Sequence, residues 1–308
     1  MINKILGFAM ILLSVSTTAQ NNANDVSLSF KSKNGHEVLP QKGDWSIGLS
    51  ASSILQYTGN FFSGATATNN APTFNNANGP AILNGQHNLG GGAFFGKYML
   101  SSNKAVRARF LTNNYSETRT EYSLQNTLVT NPLIPSFVSD KYNRNISNYL
   151  LGVGLEKRRG NTRLQGIYGA ELFMGYLSEN RTYTYGNEMN LDFTSPNSYN
   201  FGGNLNALNG VNYSRSLEQN LGSTFYLGAR GYIGAEYFFA PKMSIGLEVG
   251  YSLAMATNSD ASRIDETFSV TDLKEVQVET KLKRNEGLST YGLSLDNANA
   301  GLNLFLYF

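Results

Sequence analysis

Residues 95–110 read FGKYMLSSNKAVRARF. Counted alternately on either side of the Ser101-Ser102-Asn103 turn, Tyr98, Leu100, Val106, Ala108 and Phe110 share one face, while Lys97, Arg107 and Arg109 share the other. Successive side chains of a β-strand point to opposite faces, so a period of two across a tight turn is a hairpin with one apolar and one charged side. The same alternation recurs along the chain. Segment 43–57 places Trp45, Ile47, Leu49, Ala51 and Leu55 together, and 145–157 does so with Tyr149, Leu151, Val153 and Leu155. After the Arg158-Arg159-Gly160-Asn161 turn come Leu164, Tyr168, Ala170, Leu172, Met174 and Tyr176. Segment 222–239 leads through Ala240-Pro241-Lys242 to Ile245, Leu247, Val249, Tyr251 and Leu253, and 288–308 ends with Leu302, Leu304, Leu306 and Phe308 in step.

With 88–100 and 104–117 the segments number eight. Their connections alternate: short turns, then long polar stretches near 58–87, 118–144, 185–221 and 258–287. An even count of antiparallel strands with turns at one end and loops at the other predicts an all-β fold. The expected form is an eight-stranded antiparallel up-and-down transmembrane β-barrel with short periplasmic turns and four long extracellular loops. The placement of charge decides the orientation. None of the apolar-face residues named above is charged, whereas the opposite face holds Lys97, Arg107, Arg109, Arg230, Glu156, Glu171, Glu236 and Glu248. A Lys or Arg facing lipid at the midplane costs about 2–4 kcal/mol, so the apolar face looks outward and the charges line the lumen. Four cations against four carboxylates balance to zero, which predicts an ion-pair network blocking the lumen. Phe95, Phe173, Tyr226, Tyr232 and Phe305 would fill it against Gly152, Gly154, Gly169, Gly234 and Gly246. Aromatics near strand ends predict two interfacial girdles: Trp45, Tyr98, Tyr237, Phe239 and Phe308 by the turns, and Tyr57, Tyr115, Tyr149, Tyr176, Phe225 and Tyr251 by the loops.

Composition agrees. Of 308 residues, 15% are charged, against about 25% in an ordinary soluble domain, and the difference goes into 37 Asn, 31 Gly, 18 Phe and 18 Tyr. The absence of Cys excludes a disulfide scaffold, a thiolate metal site and a thiol nucleophile, and a formal charge of +2 offers nothing to nucleic acid. Residues 1–19 combine a positive start, an apolar stretch from Ile5 to Val15 and a small-residue site at Thr17-Thr18-Ala19, the pattern of a secretory signal peptide. Residues 20–42 then form a periplasmic N-terminal extension, able to add a short strand, bind a partner or stay disordered, and 43–308 form the barrel.

The hairpin quoted above, the segments GIYGAELFMGY (166–176) and GAEYFFAPKMSIGLEVGY (234–251), the closing LNLFLYF (302–308) and the opening FKSKNGHEVLPQKGDWSIGLS (30–50) together resemble the small outer-membrane β-barrel proteins of the Bacteroidota. These are similar in architecture to the OmpA transmembrane domain, OmpX and OmpW. The resemblance implies the outer membrane of a Gram-negative bacterium, both termini in the periplasm, and outer-membrane lipid and lipopolysaccharide as surroundings. It also implies that Leu304, Leu306 and Phe308 form the C-terminal signal read by the barrel-assembly machinery.

Nothing points to catalysis, a cofactor or a metal. The two histidines, His36 and His87, lack a Ser and an acid on the same rim. Gly91 to Tyr98 imitates a P-loop but has Tyr where Ser or Thr must hold magnesium, and Asp260, Asp265 and Glu266 lack EF-hand spacing. The expected function is therefore non-enzymatic, in envelope integrity or surface interaction with protein or glycan through the loops. Leu133, Ile134 and Phe137, in a stretch held by two prolines, are a candidate loop-binding patch. The alternative is a narrow OmpW-like channel or binding barrel for small hydrophobic compounds, with Phe61, Phe62, Leu133, Ile134 and Phe137 at its mouth.

Overall fold

The computed structural model describes residues 30–50, 92–127, 135–208, 212–269, 271–282 and 290–308. Its elements are all strands: β1 (Trp45–Ser50), β2 (Gly92–Ser101), β3 (Lys104–Leu124), β4 (Phe137–Arg159), β5 (Leu164–Thr184), β6 (Leu205–Leu208), β7 (Asn212–Ala240), β8 (Met243–Asn258), β9 (Ala261–Ser269), β10 (Lys274–Leu282) and β11 (Thr290–Tyr307). Eight of them, β1, β2, β3, β4, β5, β7, β8 and β11, pair antiparallel in a ring that closes where β11 meets β1, Ser46 opposite Tyr307 and Ser50 opposite Asn303. A closed ring leaves no unpaired edge. β6 adds a short hairpin to β7, and the β9–β10 hairpin continues the wall beside β7.

The side chains alternate as the inverse of a soluble barrel. Along β4, Tyr149, Leu151, Val153 and Leu155 are exposed while Leu150 and Glu156 on the other face are buried. β5 repeats this with Tyr168, Leu172, Met174 and Tyr176 outside, and Glu171 and Phe173 inside. Trp45 at 59% and Ile233 at 69% exposure belong to an outward apolar belt, whereas Lys97, Arg107, Arg109 and Arg230 are each 1% exposed.

Several stretches depart from the expected boundaries: the expected loop 185–221 holds β6 and the start of β7, and the expected loop 258–287 holds β9 and β10. The 118–144 stretch, expected as loop, is mostly strand, because β3 and β4 stay in register from Lys104 opposite Lys157 to Leu124 opposite Phe137. Beyond the belt both faces of these strands are polar, so hydropathy no longer alternates even though the pairing continues. At the other end, residues 30–42 fold over the turns. Lys31 bridges to Glu37, and the Val38 amide donates to the Phe30 carbonyl at 2.9 Å. Val38 and Leu39 then sink into a cluster with Phe95, Met99, Ala105, Phe238, Phe305 and Tyr307. The Lys242 amide, in the β7–β8 turn, donates to the Val38 carbonyl at 3.1 Å, and the Lys242 ammonium pairs with Asp44. The segment corks the turn end of the ring. The proposed signal peptide, His87, Phe61, Phe62, Tyr57, Leu133 and Ile134 lie outside the described residues.

Candidate functional site: the barrel interior

Small residues inside the wall make room for large ones on neighbouring strands. A Cβ on Gly250 would stand 2.6 Å from Arg230 Nη2, one on Gly169 2.7 Å from the Tyr232 hydroxyl, and one on Gly246 3.3 Å from the Phe305 ring. Gly175 lies under Tyr226, and Gly228 under Phe173. The lumen of an eight-stranded ring is narrow enough for side chains to fill, and here the filling is layered.

Nearest the cork lies a layer in which Lys97 Nζ contacts Glu156 at 3.0 Å and Glu236 at 2.9 Å. Arg158 reaches the same two carboxylates at 3.1 and 2.8 Å and also donates to Tyr307. Glu236 accepts further bonds from the hydroxyls of Tyr307 at 2.7 Å and Ser244 at 2.5 Å. In the next layer Arg107 forks onto Glu248 at 2.6 and 2.9 Å, the planar geometry that makes such pairs strong. Its guanidinium lies between the rings of Phe95 and Tyr232, 4.7 and 4.6 Å from their centroids. Arg230 meets Glu248 at 3.1 Å, and Arg109 meets Glu171 at 2.5 Å. Because carboxylates are shared between cations, removing any member leaves another buried charge short of a partner, which typically costs about 3–5 kcal/mol.

The charge count differs from the expected balance. Among the described residues these two ionic layers hold five cations, Lys97, Arg107, Arg109, Arg158 and Arg230, against Glu156, Glu171, Glu236 and Glu248. Arg158, whose surroundings in the sequence predict a turn, instead lies at the end of β4, two residues beyond Glu156 and therefore on the same inward face. Tyr307 joins the interior in the same way, two residues beyond Phe305, although the sequence reading does not single it out. Parity along the strand is the signal in both cases.

Beyond the ionic layers Leu111, Ile146, Leu150, Phe173, Leu177, Tyr226, Ala254 and Ala256 form an apolar layer. Tyr115, expected in the loop-side girdle, packs inward against it. Above this, Arg144 and Arg181 both bind Glu179 Oε1 at 2.7 Å. The stretch between β5 and β7 folds over the inner wall here. Phe201 stacks on Tyr142 at 5.6 Å, and the buried Asp140 carboxylate accepts from the amides of Gly186 at 2.8 Å and Tyr199 at 2.7 Å.

Most of the remaining singled-out residues lie on the outside. Tyr98, Tyr237, Phe239 and Trp45 stand toward the turns, with the Trp45 and Tyr98 rings 4.7 Å apart, and Tyr149, Tyr176 and Phe225 stand toward the loops, whereas Tyr251, expected with them, lies mid-strand opposite Gly231 with Leu253 and Met255 outward beyond it. Leu306 and Phe308 point outward, and the Phe308 backbone exchanges hydrogen bonds with Trp45 at 2.9 Å. Phe137 lies on the outer side of the β3–β4 hairpin opposite Leu124, not over the mouth. Asp265 is engaged by Arg263 and Ser216, and Glu266 by Arg215. Among the described residues no group of three or more His, Cys, Asp or Glu comes together as a metal site would require.

Two solved structures are similar in chain path. The outer membrane protein OprG from Pseudomonas aeruginosa has 10% sequence identity over 88% of this chain and 98% of its own, with a TM-score of 0.32. A major outer membrane protein from Thermus thermophilus has 10% identity over 86% of this chain and 99% of its own, with a TM-score of 0.34. No protein-family model and no curated protein matches the chain. By its own register, it is an eight-stranded antiparallel barrel, charged within and apolar without.

Proposed function

We propose that the chain is an integral outer-membrane β-barrel protein of a Gram-negative envelope, with its turns and N-terminal cork in the periplasm and its loops outside the cell. Its role is non-enzymatic, in envelope integrity or in surface contact with protein or glycan through the loops. Lipid and lipopolysaccharide surround it, and the barrel-assembly machinery reads Leu304, Leu306 and Phe308 during biogenesis. The observation that carries this reading is the inverted wall. On β5 the outward apolar run from Leu164 to Tyr176 rises about 28 Å at a strand tilt of about 45°, close to the ~25 Å apolar band of such barrels. The corked turn end and the buried ion-pair layers support a closed lumen. Reconstituted into a planar bilayer, the full chain should give no porin-sized conductance steps. Steady steps of that size would overturn the closed lumen.

A second reading, a binding barrel for small hydrophobic compounds, is favoured by the apolar layer above the charges, from Leu111 to Tyr226, with Tyr142, Tyr183 and Phe201 beyond it. An apolar fluorescent probe that binds the reconstituted barrel, and is lost on Leu150→Arg, would select it. Equal signal from barrel and empty vesicles would dismiss it.

A further inference from the structure

Just beyond the loop-side aromatics the outer wall changes character. Counting outward positions past Tyr149 and Tyr176, a first row across β3, β4, β5, β7 and the segment after β8 reads Asn114, Ser147, Ser178, Ser223 and Ser259, and a second, ending on β9, reads Ser116, Asn145, Asn180, Asn220 and Ser262. All ten positions are Ser or Asn. The third row continues with Thr118, Asn143 and Thr182 before the first charges appear at Glu218 and, one row higher, Lys141. At strand spacing this is a lattice about 19 Å long, measured along the curve of the wall.

Its neutrality is selective. Exposed strand faces in water normally carry both signs of charge. The inner face of the same stretch holds Glu117, Arg144, Glu179 and Arg181. Charge is available at this height and is turned inward. Neighbouring lattice members also arrange one another's polarity. The Ser116 hydroxyl donates to Asn145 Oδ1 at 2.8 Å and the Thr118 hydroxyl to Asn143 Oδ1 at 2.8 Å, which leaves the amide N–H groups of both asparagines as outward donors.

We infer that this lattice is a docking surface for the uncharged sugars of glycolipid headgroups in the leaflet around the loop end. The inference rests on the membrane reading above, since that reading puts the first two rows directly beyond the interfacial girdle, at headgroup height. Phosphate headgroups are held by Arg and Lys, and the two rows have neither. Sugar hydroxyls are both donors and acceptors, and they match a field of hydroxyls and amides without desolvating a charge.

The test reconstitutes the full chain in phosphatidylcholine vesicles containing equal amounts of a neutral digalactosyl lipid and phosphatidylglycerol. The protein is extracted in mild detergent, and the retained lipid is identified by native mass spectrometry. The digalactosyl lipid should be retained over phosphatidylglycerol by at least about fivefold. The double variant Asn145→Ala/Asn180→Ala, which removes the amide groups without adding charge and is checked for folding by circular dichroism, should bring the ratio back to that of the vesicle. Preferential retention of phosphatidylglycerol, equal retention, or an unchanged ratio in the variant overturns the sugar assignment while leaving the membrane reading intact. A chain that inserts into no vesicle overturns both.

Discussion

Arg158 shows what one position can hide. The dipeptide Arg158-Arg159 before Gly160-Asn161 has the composition of a turn, yet strand parity carries Arg158 inward to Glu156, Glu236 and Tyr307. The other interior charges are legible because each sits between apolar or small neighbours on a strand of clear period. Glu179 offers a titration at this scale. Burial alone would raise its carboxyl, but hydrogen bonds and charge from Arg144 and Arg181 outweigh that and hold it below the usual range. A depressed folded value means that its stabilising contribution is complete above the unfolded carboxylate value of about 4.3. It is lost as pH falls through the folded value. The melting temperature followed by circular dichroism should therefore drop on acidification below about pH 4.5, and Glu179→Gln should flatten part of that drop. Parallel curves for the two proteins would mean that Glu179 contributes none of the acid sensitivity.

Among elements, the ring strands are legible wherever one side meets an apolar medium and the other a charged interior, since only then does hydropathy follow the period of two. Upper β3 and β4 are not, because Thr118 and Thr120 outside alternate with Arg119 and Glu121, polar against polar. The cork is illegible for the opposite reason. Val38-Leu39 is a single apolar step without periodicity, and only the cluster of Met99, Phe238 and Tyr307 gives it a destination. Leu39→Ala should weaken that docking by about 2–5 kcal/mol. In hydrogen-exchange measurements the Val38 and Lys242 amides should then open at least about 30-fold faster, with β4–β5 amides unchanged. A uniform change through the ring would show that the cork and wall open as one unit.

For the molecule as a whole, the belt defines where substitutions are tolerated. Val153→Lys puts a cation on the outward face of mid-β4 and should cost about 2–4 kcal/mol in unfolding from vesicles by urea. Thr118→Lys, equally outward but beyond the girdle, should cost less than about 1 kcal/mol. Equal penalties would remove the distinction between belt and upper wall.

The interior ion pairs also impose an order in time. Lys97 and Glu236 are 139 positions apart, Arg107 and Glu248 141, and Arg158 and Tyr307 149. None of these partners can meet while the sheet is open. A half-curled sheet resting in hydrocarbon would present Lys97 and Arg107 to acyl chains with these carboxylates out of reach, a state the bilayer penalises heavily. Curling and entry must therefore advance together, the last strand arriving as the charges find one another. The wall that looks static in the finished barrel is the record of a step that could not be taken halfway.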